Sequence, residues 1–378
     1  MNSLYILTIL CANVVLAEWL AKYRFFKSMG AALIVIITTA ITANVGLIPS
    51  SSAQVPVYDG IFSYLAPLSI FFLMLKANLR SLRKAGGAMV SLFLTGSVGT
   101  ILGVVLSMKL FDAEHTIGSL HYAIAGMFTG TYIGGSVNFN AVALHYGVSK
   151  DGTLFAAATA ADNIITALWM IATLLVPQLL DRYYPRKKQQ STASEKELNE
   201  HLNDNESVNP MDVALLLGLG IFSIYLSQLV ASTFKGVPAV LVQTTFALAL
   251  AQFPAVNRLP GSRMLGLLCV YLFLAVIGAY CDIPALIHDG RLAFTLLGII
   301  TVLVLIHATV VFGIGALLKQ DWDMLGIASQ ANIGGASSAL ALARSINRTD
   351  LQLPAVLVGV LGNAIGTYLG IWVAEWLR

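Results

Sequence analysis

Charge is scarce in this sequence. Only 11% of its 378 residues are Asp, Glu, Lys or Arg, against roughly 25% in an ordinary soluble domain, so the surface of two or three soluble domains of that total length could not be covered. Cysteine is scarcer still. Cys11, Cys269 and Cys281 are odd in number and widely spaced, which gives neither a disulfide framework nor zinc-ligand spacing. No Gly-x-x-x-x-Gly-Lys-Ser/Thr run occurs, so no loop of that kind cradles a nucleotide phosphate and ion gradients must drive any work. The net charge of +3 is too small, and too scattered, to form a basic face, which excludes nucleic acid as a partner. A basic stretch is also missing before the first apolar run; Lys22, Arg24 and Lys27 follow it instead. That order predicts a retained first helix with its N-terminus outside, not a cleaved signal.

Apolar length is what the chain has in excess: 57% of residues are hydrophobic and the mean hydropathy is +0.79. Apolar segments run at 3–21, 30–48, 58–76, 87–110, 121–147 and 152–180, then at 211–232, 237–254, 263–281, 291–318, 322–346 and 352–377. About 20 such residues cross roughly 30 Å of hydrocarbon. The expected fold class is therefore an all-α polytopic membrane protein. The tract 181–210, with Arg186-Lys187-Lys188 and Glu195-Lys196-Glu197, is the only long polar stretch and reads as a cytoplasmic linker between a first membrane repeat, 1–180, and a second, 211–378.

The fifth segment of each half departs from a Leu-rich spanning helix. Gly130-Thr131-Tyr132-Ile133-Gly134-Gly135-Ser136-Val137-Asn138-Phe139-Asn140 and Ser329-Gln330-Ala331-Asn332-Ile333-Gly334-Gly335-Ala336-Ser337-Ser338 are dense in small and polar residues. An offset of 200 superposes Gly126 on Gly326, Ile133-Gly134-Gly135 on Ile333-Gly334-Gly335, Ala141 and Ala143 on Ala341 and Ala343, and Asn163 on Asn363. This clustered match points to an internal duplication. If each fifth segment is re-entrant, 17 of the 22 basic residues face the cytoplasm, and Lys109, Lys150, Lys235, Arg291 and Arg378 lie outside; if it crosses, the linker and its basic residues move outside. The positive-inside rule selects the first arrangement. Five crossings per half then make the duplication an inverted repeat, each half having about five transmembrane helices and one broken or re-entrant Gly-rich segment.

Broken helices at membrane depth persist only where their free backbone groups are buried in protein or line a wet cavity. Helix N-termini there hold anions, and unwound carbonyls with Asn, Ser and Thr oxygens hold cations. Candidate substrate-binding residues are accordingly Thr131, Gly134, Gly135, Ser136, Asn138, Asn140, Asn332, Gly334, Gly335, Ser337 and Ser338, the glycines allowing close backbone approach. Small residues that merely pack helices are the alternative. Asp162 lies about ten residues inside the sixth segment, where a carboxylate is costly unless paired, protonated or bound to a cation. It is the candidate ion-coupling residue, for sodium held with Asn163 or for a proton, and Asn163 with Asn363 forms a candidate symmetric pair. His307 reads as a hydrogen-bonded core histidine, and Trp19, Trp322, Trp372 and Trp376 as interfacial belt residues.

The paired Gly-Gly motifs, outside N-terminus and central linker resemble the YjcL-like family of uncharacterised bacterial membrane proteins, a domain-of-unknown-function family, over essentially the whole chain. More distantly the design is similar to sodium/glutamate symporters and to the citrate and bile-acid sodium symporters. That kinship implies a homodimer in the bacterial inner membrane, a scaffold holding a mobile transport region, and a sodium-coupled carboxylate-bearing substrate. A secondary transporter of a small solute is the expectation, with a passive channel as alternative. An intramembrane aspartyl protease would need two membrane carboxylates, yet Asp162 is matched by Gly362; Gly134-Gly135-Ser136-Val137 lacks the final glycine of a serine-protease motif. The chain is accordingly not expected to be an enzyme, and no cofactor beyond the coupling ion is expected.

Overall fold

The computed structural model describes residues 1–23, 26, 30–50, 55–186, 208–234, 237–281 and 290–378. Most of the linker, 187–207, together with Arg24, Lys27 and Lys235, lies outside the described residues. Among those described, every regular element is helical. The principal helices are α1 (Ser3–Leu20), α2 (Gly30–Asn44), α3 (Pro56–Met74), α4 (Gly87–Leu110), α5 (His121–Gly134), α6 (Ser136–Tyr146) and α7 (Gly152–Tyr183). The second half gives α8 (Pro210–Thr233), α9 (Ala239–Ala251), α10 (Ser262–Ala279), α11 (Gly290–Leu317), α12 (Trp322–Ile333), α13 (Gly335–Ser345) and α14 (Thr349–Leu377). Eight of these are long and apolar enough to cross a membrane: α1, α3, α4, α7, α8, α10, α11 and α14. The chain is an all-helical membrane protein.

Local chemistry sets the boundaries. Asp151 accepts from Leu154 N at 3.0 Å and so caps α7; Asn209 and Asp212 form a capping box with Pro210 at the first position of α8, each satisfying amides that the helix leaves open. Between α3 and α4, Asn78 caps a 3-10 turn, Leu79–Ala85. Gln252, just after α9, grips that connection from both sides, accepting from Leu79 N and donating to Ala77 O, each at 3.0 Å.

Packing divides the helices into two groups. α1, α2, α3, α8, α9 and α10 pack mainly with one another, and α4 to α7 pack mainly with α11 to α14. Each half of the chain thus contributes its first three elements to one group and its last three segments to the other. Contacts across the division are sparser; one of them is a hydrogen bond between Thr245 Oγ1 of α9 and Tyr368 Oη of α14 at 2.8 Å.

The Gly-rich segments occupy the second group. α5 and α6 fold back on each other as a hairpin: the Tyr122 and Tyr146 rings stand 5.4 Å apart, Phe128 and Phe139 6.4 Å, and a Cβ on Gly130 would lie 3.2 Å from Asn138 Cβ. These pairs are all centred within a residue of Gly134. α12 and α13 likewise begin and end together, since Arg348 beyond α13 donates to Asp321 at 2.7 Å and to Asp323 at 3.0 Å, a pairing centred on Gly334 and Gly335.

Candidate functional site

Each hairpin turns at a glycine held where L side chains rarely go: Gly135 has φ +89° and Gly335 φ +75°. The two turns meet. A Cβ on Gly335 would lie 3.9 Å from the α-carbon of Gly135.

The hairpin bases, by contrast, lie far apart. α14 has 29 residues, about 43 Å at 1.5 Å per residue. Its start is tied through Arg348 to the base of the α12–α13 hairpin. At its end, His121 Nε2 pairs with Leu377 O at 3.3 Å and Tyr146 Oη donates to Glu375 at 2.7 Å, both from the base of the α5–α6 hairpin. α7 runs between the same two bases, leaving the first through the turn at 148–150 and meeting the second where Trp322 Nε1 donates to Tyr184 O at 2.8 Å. Two opposed hairpins therefore touch tip to tip beside the middle of α14. Asn363 marks that level, its Oδ1 lying 3.8 Å from where a Cβ of Gly135 would stand.

The second arm of each hairpin starts at this junction. Neither α6 nor α13 has a side-chain N-cap, so their amino ends carry partial positive charge toward the tips. Ser136 and Ser337 are exposed, Gly134 and Gly335 buried, and Gly135, Gly334 and Ser338 half-buried. Ser338 Oγ donates to Gly335 O at 3.0 Å.

Several candidate residues are turned to neighbouring helices. Asn138 is fully buried and accepts from Thr367 Oγ1 of α14 at 2.7 Å. Asn332, also fully buried, reaches α4: its oxygen accepts from Ser97 Oγ at 3.0 Å and its nitrogen donates to Phe93 O at 3.1 Å, an orientation fixed by the donors and acceptors around it. Asn163 Nδ2 donates back to Thr159 O at 2.8 Å within its own helix. Thr131 and Asn140 are buried.

Asp162 stands on the face of α7 that also carries Thr166, Trp169, Thr173 and Pro177 at helical spacing. Tyr132 of α5, three residues before the turn at Gly135, and Thr166 lie beside its carboxylate. Asp162 Oδ1 and Tyr132 Oη are both buried and face each other, with Thr166 beside them.

Next to this pair lies a satisfied network. His307 Nδ1 contacts Gly96 O at 2.9 Å, an acceptor, so that nitrogen carries the proton. Nε2 then accepts from Ser329 Oγ at 2.9 Å, and Ser329 accepts from Trp169 Nε1 at 3.1 Å. Thr100 Oγ1 donates to Tyr132 O at 3.0 Å. His307 is thus a hydrogen-bonded core histidine joining α4, α11, α12 and α7. Tyr132, Thr100, Ser97, Trp169, Thr173 and Gln330 are the residues that sequence reasoning did not select. Trp322, expected at the membrane interface, is instead 4% exposed with the Arg186 guanidinium 4.8 Å over its ring.

Comparison with known proteins agrees with the fold class. The chain is 29% identical over 375 residues to the uncharacterized membrane protein YjcL of Bacillus subtilis (strain 168), covering 94% of this chain and 91% of that one. Residues 5–378 match the family described as "Protein of unknown function (DUF819)". The chain belongs to that family of membrane proteins.

Proposed function

We propose that the protein is a secondary active transporter, coupled to sodium or protons, for a small carboxylate-bearing solute such as an amino acid, a short peptide or an organic anion. The observation that carries the reading is the tip-to-tip meeting of two opposed hairpins, whose uncapped helix starts converge there. Buried irregular backbone of this kind is tolerated at membrane depth where it serves a ligand or ion. On this reading the hairpins are re-entrant, the halves form an inverted repeat, and the N-terminus is outside. The group holding the hairpins moves against the other as an elevator, in a homodimer of the inner membrane. Asp162 carries the coupling proton, or holds sodium with Asn163, and the helix starts at Ser136 and Gly335 hold the carboxylate.

Counterflow in proteoliposomes tests this. Vesicles loaded with an unlabelled mixture of amino acids, dipeptides and organic acids should transiently accumulate a labelled member of that mixture added outside. Uptake that only equilibrates, without overshoot, would assign a passive channel instead; no uptake of any member would remove transport of this substrate class.

A further inference from the structure

The offset of 200 residues that relates the hairpins also relates their second arms, and the outer faces of those arms differ. α6 carries Val137, Ala141, Leu144 and His145 at helical spacing, where α13 carries Ser337, Ala341, Arg344 and Ser345. The α6 face turns to the other helix group, since Leu144 and His145 share a cleft with Pro67 of α3 and Val240 and Gln243 of α9. The α13 face is uncovered. Its four residues are all exposed, and α13 packs mainly on α5, α7, α12 and α14, helices of its own group.

The inner sides of the hairpins are shut by glycines. A Cβ on Gly366 would stand 2.9 Å from Gly130 O, and one on Gly359 would run into the Ala336 backbone, so backbone meets backbone where α5 and α13 lie on α14. No passage runs there. Room begins at the turn itself, where a Cβ on Gly335 would meet only the α-carbon of Gly135 within 4 Å. This turn and the exposed Ser337 beside it stand at the level of the middle of α14. Broken backbone open at that depth meets water, because hydrocarbon cannot satisfy it.

We propose that the outer face of α13 lines a water-filled passage from the tips to the base of the α12–α13 hairpin, with Arg344 at its mouth favouring anions. Only its use by a solute rests on the transport reading above. From Ser337 to Ser345 the passage runs about 12 Å at 1.5 Å per residue. Ala341, midway, leaves it clear, and the Arg344 guanidinium nearly one turn further on raises the local concentration of anions.

Cysteine labelling in lipid nanodiscs tests this, since a thiol reacts with a methanethiosulfonate as the thiolate, a form that water supports and hydrocarbon does not. In a chain with Cys11, Cys269 and Cys281 replaced by Ser, each of Ser337→Cys, Ala341→Cys and Ser345→Cys should react with the anionic sulfonatoethyl reagent. Ala343→Cys, on the buried face of α13, and Leu305→Cys, on the exposed apolar face of α11, should not. At low ionic strength, Arg344→Gln added to Ala341→Cys should slow the anionic reagent and speed the cationic trimethylammonium one. The ratio of their rates should change about tenfold, for a unit charge about 6 Å away in water. Ser337→Cys and Ala341→Cys as inert as Leu305→Cys would mean that lipid or a second copy covers this face, which overturns the passage. An unchanged ratio overturns the role of Arg344. Reactive thiols without counterflow remove the transport reading and leave the passage standing, so the two fail separately.

Discussion

At the residue scale, the sequence groups Asn138, Asn332 and Asp162 as one kind of feature, polar side chains where lipid-facing ones belong. Their partners separate them. Asn138 and Asn332 are fully buried struts between helices, whereas Asp162 is a carboxylate held against the Tyr132 hydroxyl and Thr166. No spacing rule distinguishes a strut from a buried carboxylate, because the difference lies in residues distant in sequence, such as Ser97 for Asn332 and Tyr132 for Asp162. Two opposite outcomes are expected. Asn332→Ala removes the buried amide that accepts from Ser97 Oγ and donates to Phe93 O, leaving those two groups to pair with each other at 3.1 Å, and should lower stability by about 1 kcal/mol per lost bond, read from the unfolding midpoint; an unchanged midpoint would show that the strut is dispensable. Asp162→Asn keeps the shape but removes the charge, so it should leave the midpoint near the wild-type value while gradient-driven accumulation collapses. Wild-type accumulation under both sodium and pH gradients would make Asp162 purely structural.

At the element scale, the two Gly-Gly pairs were legible because a break inside an apolar helix needs a residue free to take positive φ, and both breaks fall within a residue of the expected place. The hairpin form was anticipated only through the distribution of basic residues, and the pairing of Tyr122 with Tyr146 and of Arg348 with Asp321 gives it independent footing. What the pattern did not disclose is the glycine seam, although Gly126, Gly130 and Gly134 face Gly362, Gly366 and Gly370 at a regular spacing of four. Within a composition rich in small residues that spacing has no contrast until the partner helix is known. The two kinds of glycine predict different phenotypes. At Gly135 the nearest atom to an added Cβ is 3.8 Å away, so space is open and the constraint is φ +89°. Gly135→Val should therefore insert and fold but lose uptake, since a β-branched residue resists that conformation and reshapes the turn. Gly362→Val meets Ile133 O and the Gly134 backbone, so it should fail to fold, seen as loss of the monodisperse peak in size-exclusion chromatography. A monodisperse Gly362→Val would show that the seam is looser than its contacts indicate.

At the scale of the whole molecule, the halves 1–180 and 211–378 are visible in the sequence, but the two packing groups are not, because each draws helices from both halves through contacts far apart in the chain. The opposed hairpin bases define two faces of the molecule. Arg378 lies 5.5 Å over the Tyr122 ring at the base of the α5–α6 hairpin, and Arg186, next to Lys187 in sequence, lies over Trp322 at the base of the other. Labels just after α7 and at the end of α14 therefore report the faces on which the two hairpins stand. In a background with Cys11, Cys269 and Cys281 replaced by Ser, Arg378→Cys should react with a membrane-impermeant maleimide in intact cells. Lys187→Cys should react only after permeabilisation, because the linker's basic residues favour the cytoplasm. Reversed labelling would keep the hairpins opposed but invert the protein in the membrane. Labelling of both sites from one side would place both bases on one face, and helices α7 and α14, each running from one base to the other, could not then cross the bilayer.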